Sequence, residues 1–416
     1  MLHARILSAL ALAALPLASH AQVLSFAEAQ RLALQDAPQV TARAAAVRAA
    51  NESAVGAAEL PDPKLIAAIE NMPVEGADKF SLTREAMTMR KIGVMQDFPG
   101  GDKLRLRNER AQAEVQREVA MLEATRISVR RDAALAWFDV WFAERQVVAL
   151  RALESEAALQ VEAAQAALAG GRGQAGDPFA ARLATAQLAD RVTEARRNVA
   201  RARAQLARWV GPAAATRELG DAPDFGSPRA RQLVTNADLA SHPHIAAYAP
   251  AQAAAQADVR LAEAEKDPNW SLEVTYAQRG PAYTNMMSIG VRLDLPIFET
   301  KRQNPAIAAK VAAAEQVRAQ AEDAMRAVAA EFGALLADWD AAQERAQRYE
   351  AVQAPLARDR VAAALAAYRG GKGDLPQVLD ARKGEVEVRL GQLQAESEQA
   401  RAWAQLAFHW IAHPKE

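Results

Sequence analysis

Cysteine is absent from the 416 residues, which excludes disulfides, thiolate metal sites and lipid attachment at a cysteine behind an export signal. Aromatic residues make up only 5% of the chain, and alanine supplies much of the 51% that is hydrophobic. A compact enzyme core needs bulkier side chains, whereas alanine-rich faces let helices approach closely along their length. Charge of one sign is missing too: 50 Lys and Arg stand against 51 Asp and Glu, a formal net charge of −1. That balance offers no field for nucleic acid or an anionic membrane surface. Beyond the first 21 residues no apolar run reaches the roughly 20 residues of a membrane-spanning helix. If the mature chain crosses a membrane, only a β-barrel remains as a route.

At the amino terminus, Arg5, the apolar stretch from Ile6 to Ala18, and Ser19 and Ala21 flanking His20 form a secretory signal over residues 1–21. A membrane anchor is the poorer reading, since the apolar stretch is too short to span. The rest of the sequence is one unit written twice. Ile92-Gly93-Val94-Met95-Gln96-Asp97-Phe98-Pro99 returns as Ile289-Gly290-Val291-Arg292-Leu293-Asp294-Leu295-Pro296, an offset of 289 − 92 = 197. Gly170-Gly171-Arg172-Gly173 is answered by Gly370-Gly371-Lys372-Gly373, an offset of 370 − 170 = 200, and Asp62-Pro63 by Asp267-Pro268. Such a period exceeds that of ordinary solenoids. The expected organisation is a first repeat over 22–210, a connector over 211–232 rich in Gly and Pro, and a second repeat over 233–416.

Each repeat carries the same order of elements. A helical pattern from Ser25 to Leu60, broken at Ala37-Pro38, precedes strands over Lys64–Met72 and Ala86–Phe98. In the second repeat the strands lie between Asn269 and Pro296. Trp270, Leu272, Val274 and Tyr276, then Met287, Ile289, Val291, Leu293 and Leu295, fall on one face. Ser271, Glu273 and Thr275, then Ser288, Gly290, Arg292 and Asp294, fall on the other, as in a sheet with one apolar and one polar side. Four strands cannot close a barrel, and oligomerisation would cover their open edges. Between Lys103 and Ala169 no proline interrupts an apolar pattern at three- and four-residue spacing, giving roughly 100 Å of helix. Pro305 to Tyr368 repeats it with a single proline at Pro355. Each long helix meets a Gly-rich turn and a returning helix, Asp177–Val210 and Asp374–Ile411, as antiparallel hairpins of coiled-coil type.

A signal peptide, two strand pairs, two long helical hairpins and Gly-rich turns together resemble the TolC family of outer membrane channel proteins, over essentially the whole mature chain. Tyr368-Arg369-Gly370-Gly371, with Val378-Leu379-Asp380-Ala381, is similar to a signature of that family. Leu60-Pro61-Asp62-Pro63-Lys64-Leu65, Asn71-Met72-Pro73 and the Ile92–Pro99 segment resemble its heavy-metal efflux branch more narrowly. The resemblance implies a mainly α fold with a small β part: hairpins forming an α-barrel, and four strands per chain joining a trimeric twelve-stranded outer membrane β-barrel. It also implies a homotrimer in outer membrane lipid with a long periplasmic extension, a periplasmic adaptor protein and an inner-membrane RND pump. The implied function is a passive duct for heavy-metal cations of the copper/silver or cobalt/zinc/cadmium class. A duct for drug efflux or type I protein secretion is the nearest alternative, and a periplasmic coiled-coil scaffold without a pore is a rival of another class.

By position, the resemblance makes Gly171, Gly173, Asp177, Tyr368, Gly371, Gly373, Asp374, Gln377 and Asp380 a periplasmic tip and gate. Asp177 and Tyr368 match partners in a network that closes the tip. Asp177-Pro178 also fits a helix N-cap followed by proline. Asp380 matches a carboxylate at the constriction, able to form a ring of three that favours cations, or else is an ordinary exposed carboxylate. Gln377 stands where a second acidic residue often occurs. Gly171 to Gly176 spells G-x-G-x-x-G but sits between helices, and Gly373 follows Lys372 where a P-loop needs Ser or Thr. These glycines therefore read as turn formers. Met72, Met87, Met89, Met95, Met286 and Met287 cluster in the strand regions, where a soft-metal relay competes with the simpler role of apolar filler. His242-Pro243 fits a helix start, and His409 with His413 has ligand spacing without a completing carboxylate. Trp137, Trp141 and Trp339 read as packing between hairpins. No catalytic motif, cofactor site or metal site is expected.

Overall fold

The computed structural model describes residues 23–171, 173–235 and 242–410. The signal segment 1–21, Arg172, Ile411 and His413 lie outside them. In chain order the elements are α1 (Phe26–Gln35), α2 (Pro38–Ala57), β1 (Lys64–Glu70), β2 (Met89–Phe98), α3 (Lys103–Ala169), α4 (Asp177–Val210) and the short α5 (Pro212–Ala215). Then come α6 (Pro228–Thr235), α7 (Pro243–Ala246), α8 (Tyr248–Ala264), β3 (Trp270–Gln278), β4 (Met286–Leu293), α9 (Gln303–Arg348), α10 (Ala354–Arg369) and α11 (Leu375–Trp410). The fold is mainly helical with a small sheet, as the periodicities predict.

Two compact units divide the described chain, and each draws on both halves of the sequence. One holds the residues up to Asp36 with Asp132–Asp224 and Arg345–Ser397; the other holds Ala37–Arg131, Phe225–Glu344 and the residues from Glu398.

In the second of these units the four strands form one antiparallel sheet in the order β1-β2-β3-β4. Register places Leu65 opposite Val94, Val94 opposite Val274, and Val274 opposite Ile289. These side chains form an apolar row across all four strands, and every one is more than 40% exposed in the single chain. Phe98 stacks on Trp270 at 4.2 Å on the same face. The opposite face carries a ladder of alternating charge. Lys91 Nζ lies 3.1 Å from Glu70 and 3.5 Å from Glu273, whose other oxygen is 3.5 Å from Arg292. One face of this sheet suits hydrocarbon and the other suits water.

Both strands of the first pair are shorter than the sequence predicts. Asn71 takes a positive φ of 55° and its amide donates to the Met87 carbonyl at 3.4 Å, while the Thr88 hydroxyl donates to the Asn71 carbonyl at 3.0 Å. Side chains thus take over the backbone groups that a longer ladder would use. At the other end, β2 leaves the sheet under tight control. The Gly100 amide donates to Asn269 Oδ1 at 3.1 Å, and buried Lys103 Nζ donates to Asp267 O at 2.9 Å and Asn269 Oδ1 at 2.8 Å. The residues just after Pro99 are therefore bonded to those just before β3. Elsewhere in this unit Trp339 sits in a core with Ile245, Val328, Ala402 and Leu406.

The other unit contains the hairpin turns. Val147 and Leu150 of α3 meet Val192 and Ala195 of α4 and Val386 of α11. Nearer the turns, Ala164, Ala181, Leu375 and Val378 form a second cluster, joined by Leu365 and Tyr368 of α10.

The predicted helix from Pro305 to Tyr368 is interrupted by one wide turn, the π-helical segment Tyr349–Gln353. Pro355 has no amide proton and its ring clashes with the carbonyl four residues back. Widening the turn relieves both problems. Across from this segment α11 carries Gly391, where an added Cβ would lie 2.5 Å from Tyr349 Oη.

Candidate functional site

Helix periodicity ends at the same place in both hairpins because glycine follows it, and the two turns have one geometry. Gly171 and Gly371 have φ of 67° and 68°, in the left-handed region open to glycine. Two residues later, a Cβ on Gly173 would meet Leu168 N at 3.1 Å, and one on Gly373 would meet the Ala367 side chain at 3.0 Å. Both turns are thus held by the same steric demands.

The polar residues beside the glycines are exchanged between the turns. In the second turn Asp374 caps α11 forwards, its carboxylate accepting from the Gln377 amide at 3.1 Å. In the first turn the carboxylate is at Asp177 and reaches backwards, accepting from the Gln174 amide at 2.9 Å. This corrects the N-cap reading of Asp177. The cap position of α4 is Gly176, and Asp177 is the first helical residue, too far along to cap the free amides ahead of it. Its side chain is buried at 8% exposure and braces the turn.

Tyr368 packs on the cluster around Ala181 and Leu375, but its hydroxyl is buried without a hydrogen-bond partner. Asp177 and Tyr368 are therefore brought to the same end of the hairpins and are not hydrogen-bonded in the single chain. Asp380 is exposed and is not a lone carboxylate, since Arg360 Nη2 of α10 pairs with it at 2.5 Å. The pair could have been found by folding the sequence about Gly370, from which both residues are ten positions away (370 − 360 = 380 − 370). Gln377 is exposed beside Gly373.

Sequence reasoning missed two features of this unit. Arg382 of α11 pairs with Glu156 of α3 and, at 2.8 Å, with Glu385, tying one hairpin to the other. Further from the turns, a groove of about 860 Å³ opens between α3, the π-helical segment with α10, and α11. Alanines and aliphatic residues line it, with Arg145, Arg358 and Arg389 against Glu350, Glu385 and Glu396. Arg145 lies over the Trp141 ring at 3.4 Å. Burial pushes the Glu396 carboxyl above the usual carboxylate range; the Gln392 amide and Arg389 oppose the shift, and Glu350 adds to it. No local signal marks such a groove, because its walls are remote in sequence.

The sign of the Glu396 effect follows from linkage. A raised folded pKa means that the folded chain holds this proton more tightly than the unfolded one. The contribution is favourable below the ordinary value of 4.5 and is lost as pH rises through the folded pKa. Glu396→Gln is expected to stabilise the protein near neutral pH and to add little at pH 4.5. Thermal unfolding in detergent at both pH values checks this, and a gain independent of pH would remove Glu396 as its source.

Among the described residues no group of three His, Asp or Glu side chains could hold a metal ion. His242 is a helix cap, its Nδ1 accepting from the His244 amide, and the His409 side chain is outside the description. Met286 and Met287 alternate sides on β4 and are exposed, while Met95 Sδ contacts Arg292 at 3.4 Å. Trp137 and Trp339 are fully buried packing residues, and each also carries a hydrogen bond. Trp137 Nε1 donates to Leu24 O and Trp339 Nε1 to Phe225 O, each at 3.1 Å. In each unit a tryptophan thus clamps a connecting segment onto a long helix.

Residues 234–410 match the family model of the outer membrane efflux protein. No curated protein matches the sequence at a significant level. The fold is similar to that of the outer membrane protein VceC from Vibrio cholerae, with a TM-score of 0.76 at 19% identity, covering 93% of this chain and 97% of that one. It is also similar to the outer-membrane channel OprN (TM-score 0.76, 18% identity, 94% and 91% covered) and to CusC (TM-score 0.76, 16% identity, 93% and 92% covered). The second half of the chain is thus similar to the outer membrane efflux protein family, and nearly the whole chain shares the fold of these outer-membrane proteins.

Proposed function

We propose that three copies of the chain form one outer-membrane duct, with both repeats contributing to a continuous channel, and that heavy-metal cations expelled by an inner-membrane RND pump leave through it. A periplasmic adaptor joins the pump to the tip residues Gly171, Gly173, Asp177, Tyr368, Gly371, Gly373, Asp374, Gln377 and Asp380. The observation that carries the duct is the two-faced sheet. Its apolar face is exposed, its polar face carries the ladder Glu70–Lys91–Glu273–Arg292, and β1 and β4 have no outer neighbour in the described chain. Three such sheets close a twelve-stranded barrel with charged groups on the water side. A scaffold without a pore has no use for this division. The metal assignment is supported by the segments Leu60–Leu65, Asn71–Pro73 and Ile92–Pro99, which resemble the heavy-metal branch. Expression in a bacterium lacking its own outer-membrane component tests it: restored tolerance to copper, silver, cobalt, zinc or cadmium supports the reading, and restored tolerance to dyes and detergents alone transfers the duct to drug efflux.

A role for Asp380 at the constriction has a definite sign. Because Arg360 neutralises it, Asp380→Ala leaves three unpaired guanidinium groups in a trimer and is expected to shift the reversal potential in a planar bilayer towards anions. Arg360→Ala is expected to shift it towards cations. Unchanged reversal potentials in both variants would exclude the pair from the conduction path.

A further inference from the structure

The charged side chains on the ladder face of the sheet cancel one another. Lys64 pairs with Asp97 at 2.6 Å, and the ladder Glu70–Lys91–Glu273–Arg292 takes up the rest. Every carboxylate that the strands place on this face therefore has a cation beside it, and none is left over for a divalent metal ion. The strands contain no histidine, and the chain contains no cysteine. Zinc(II) and cobalt(II), which bind through thiolate, imidazole or carboxylate, thus find no ligand on this wall.

The same face carries methionine. Met89 lies opposite Glu70, Met95 opposite Lys64 and Glu273, and Met286 opposite Ala277, which is itself opposite Lys91. The contact of Met95 Sδ with Arg292 Nη1 at 3.4 Å sets that sulfur on the ladder side. Apart from Ile66, these are the only large apolar side chains that the four strands place there. The apolar face holds a single methionine, Met287, among branched aliphatic and aromatic residues. Filler belongs against hydrocarbon, and on that face leucine, isoleucine and valine supply it. A methionine turned to the water side gives up burial and offers a neutral, polarisable sulfur. Met89 and Met286 lie near the loop ends of their strands, and Met95 is about 20 Å further along β2 at the rise of a strand, so the sulfurs are spread along the wall.

We infer that Met89, Met95 and Met286 form a thioether track on the inner wall of the barrel, and that the cargo it takes is a soft monovalent cation, copper(I) or silver(I). This rests on the heavy-metal duct proposed above and narrows it. Balanced charges leave the choice of ion to ligand softness. Sulfurs spread along the wall hold an ion weakly enough to pass it on, as conduction requires.

Silver(I) is the probe, because it is stable in air. The full-length protein, isotope-labelled at its methionine methyl groups and purified in detergent, is titrated with silver nitrate and separately with zinc sulfate, each NMR signal being assigned by its single leucine variant. Silver is expected to shift the signals of Met89, Met95 and Met286 and to leave that of Met287, while zinc shifts none of them. Leucine keeps the volume of methionine, so Met89→Leu, Met95→Leu and Met286→Leu combined should assemble as the parent does. That triple variant is expected to lose most of the silver tolerance that the parent restores to a bacterium lacking its own outer-membrane component. Unmoved signals from the three residues, or full silver tolerance in an assembled triple variant, would overturn the track; if the variant fails to assemble, the parent's spectra decide alone. Restored tolerance to cobalt and zinc but not to silver would overturn the track and leave the metal duct standing. Restored tolerance to dyes alone would remove the metal reading beneath it.

Discussion

Gly93→Ala is expected to abolish assembly of the sheet, while Gly290→Ala leaves it intact, although the two glycines occupy the same place in the repeated octapeptide. A Cβ at Gly93 would lie 2.3 Å from Thr275 Cγ2, 2.4 Å from Val274 O and 2.7 Å from Thr275 Cα. A Cβ at Gly290 would find Glu273 Cβ at 3.9 Å, an ordinary contact. The difference arises from strand order. Strand β2 is paired on both sides within the chain, and glycine inside a strand marks a close backbone approach; β4 pairs only with β3 within the chain, and Glu273 on that side leaves room for a Cβ. Overpacking costs about 1–3 kcal/mol where side chains can move, and at Gly93 two of the three obstacles are backbone atoms. The amount of trimer recovered from outer membranes checks the pair, and parental recovery of Gly93→Ala would refute the argument.

Trp137→Ala is expected to cost about 3–5 kcal/mol in unfolding free energy, the range for removing a buried aromatic. Trp137 is fully buried, meets Phe26 edge-on at 5.4 Å and holds Leu24 through its indole. Leu24 O retains a second donor, the Gly220 amide at 3.2 Å, so most of the loss comes from the cavity and little from an abandoned carbonyl. Trp137→Phe should therefore recover much of it. Denaturant unfolding followed by helical circular dichroism measures the series. If alanine and phenylalanine at 137 prove equally mild, Trp137 does not clamp the amino-terminal segment.

Legibility in the sequence followed the range of the interactions. The bounds of α3 and of α4 were predicted at Lys103, Ala169, Asp177 and Val210 because an unbroken three-and-four pattern and a terminal glycine are local signals. Strand ends were missed by a few residues where Asn71 and Thr88 replace ladder bonds with side-chain bonds. Pro355 announced an interruption, but its form as a wide turn depends on the tolerance of the surrounding helix. At the tip the glycines were legible as turn formers, since positive φ demands them at Gly171 and Gly371. The direction in which Asp177 bonds was not legible: the cap rule gives one geometry, and the turn uses the other. Arg360, Arg382 and the groove around Glu396 depend on contacts between helices far apart in sequence, and no local pattern specifies them.

The central joint of the sheet is the pairing of β2 with β3, along Arg90 to Phe98 and Trp270 to Gln278, which unites strands from opposite halves of the sequence. A polypeptide ending after the first repeat would keep the β1–β2 hairpin but leave the inner edge of β2 bare, with no internal source of a substitute. Carrying both halves in one chain makes that joint the closure of one loop rather than an encounter between molecules, a closure whose entropic cost grows only slowly with loop length, and it fixes the ratio of the two hairpins at one to one.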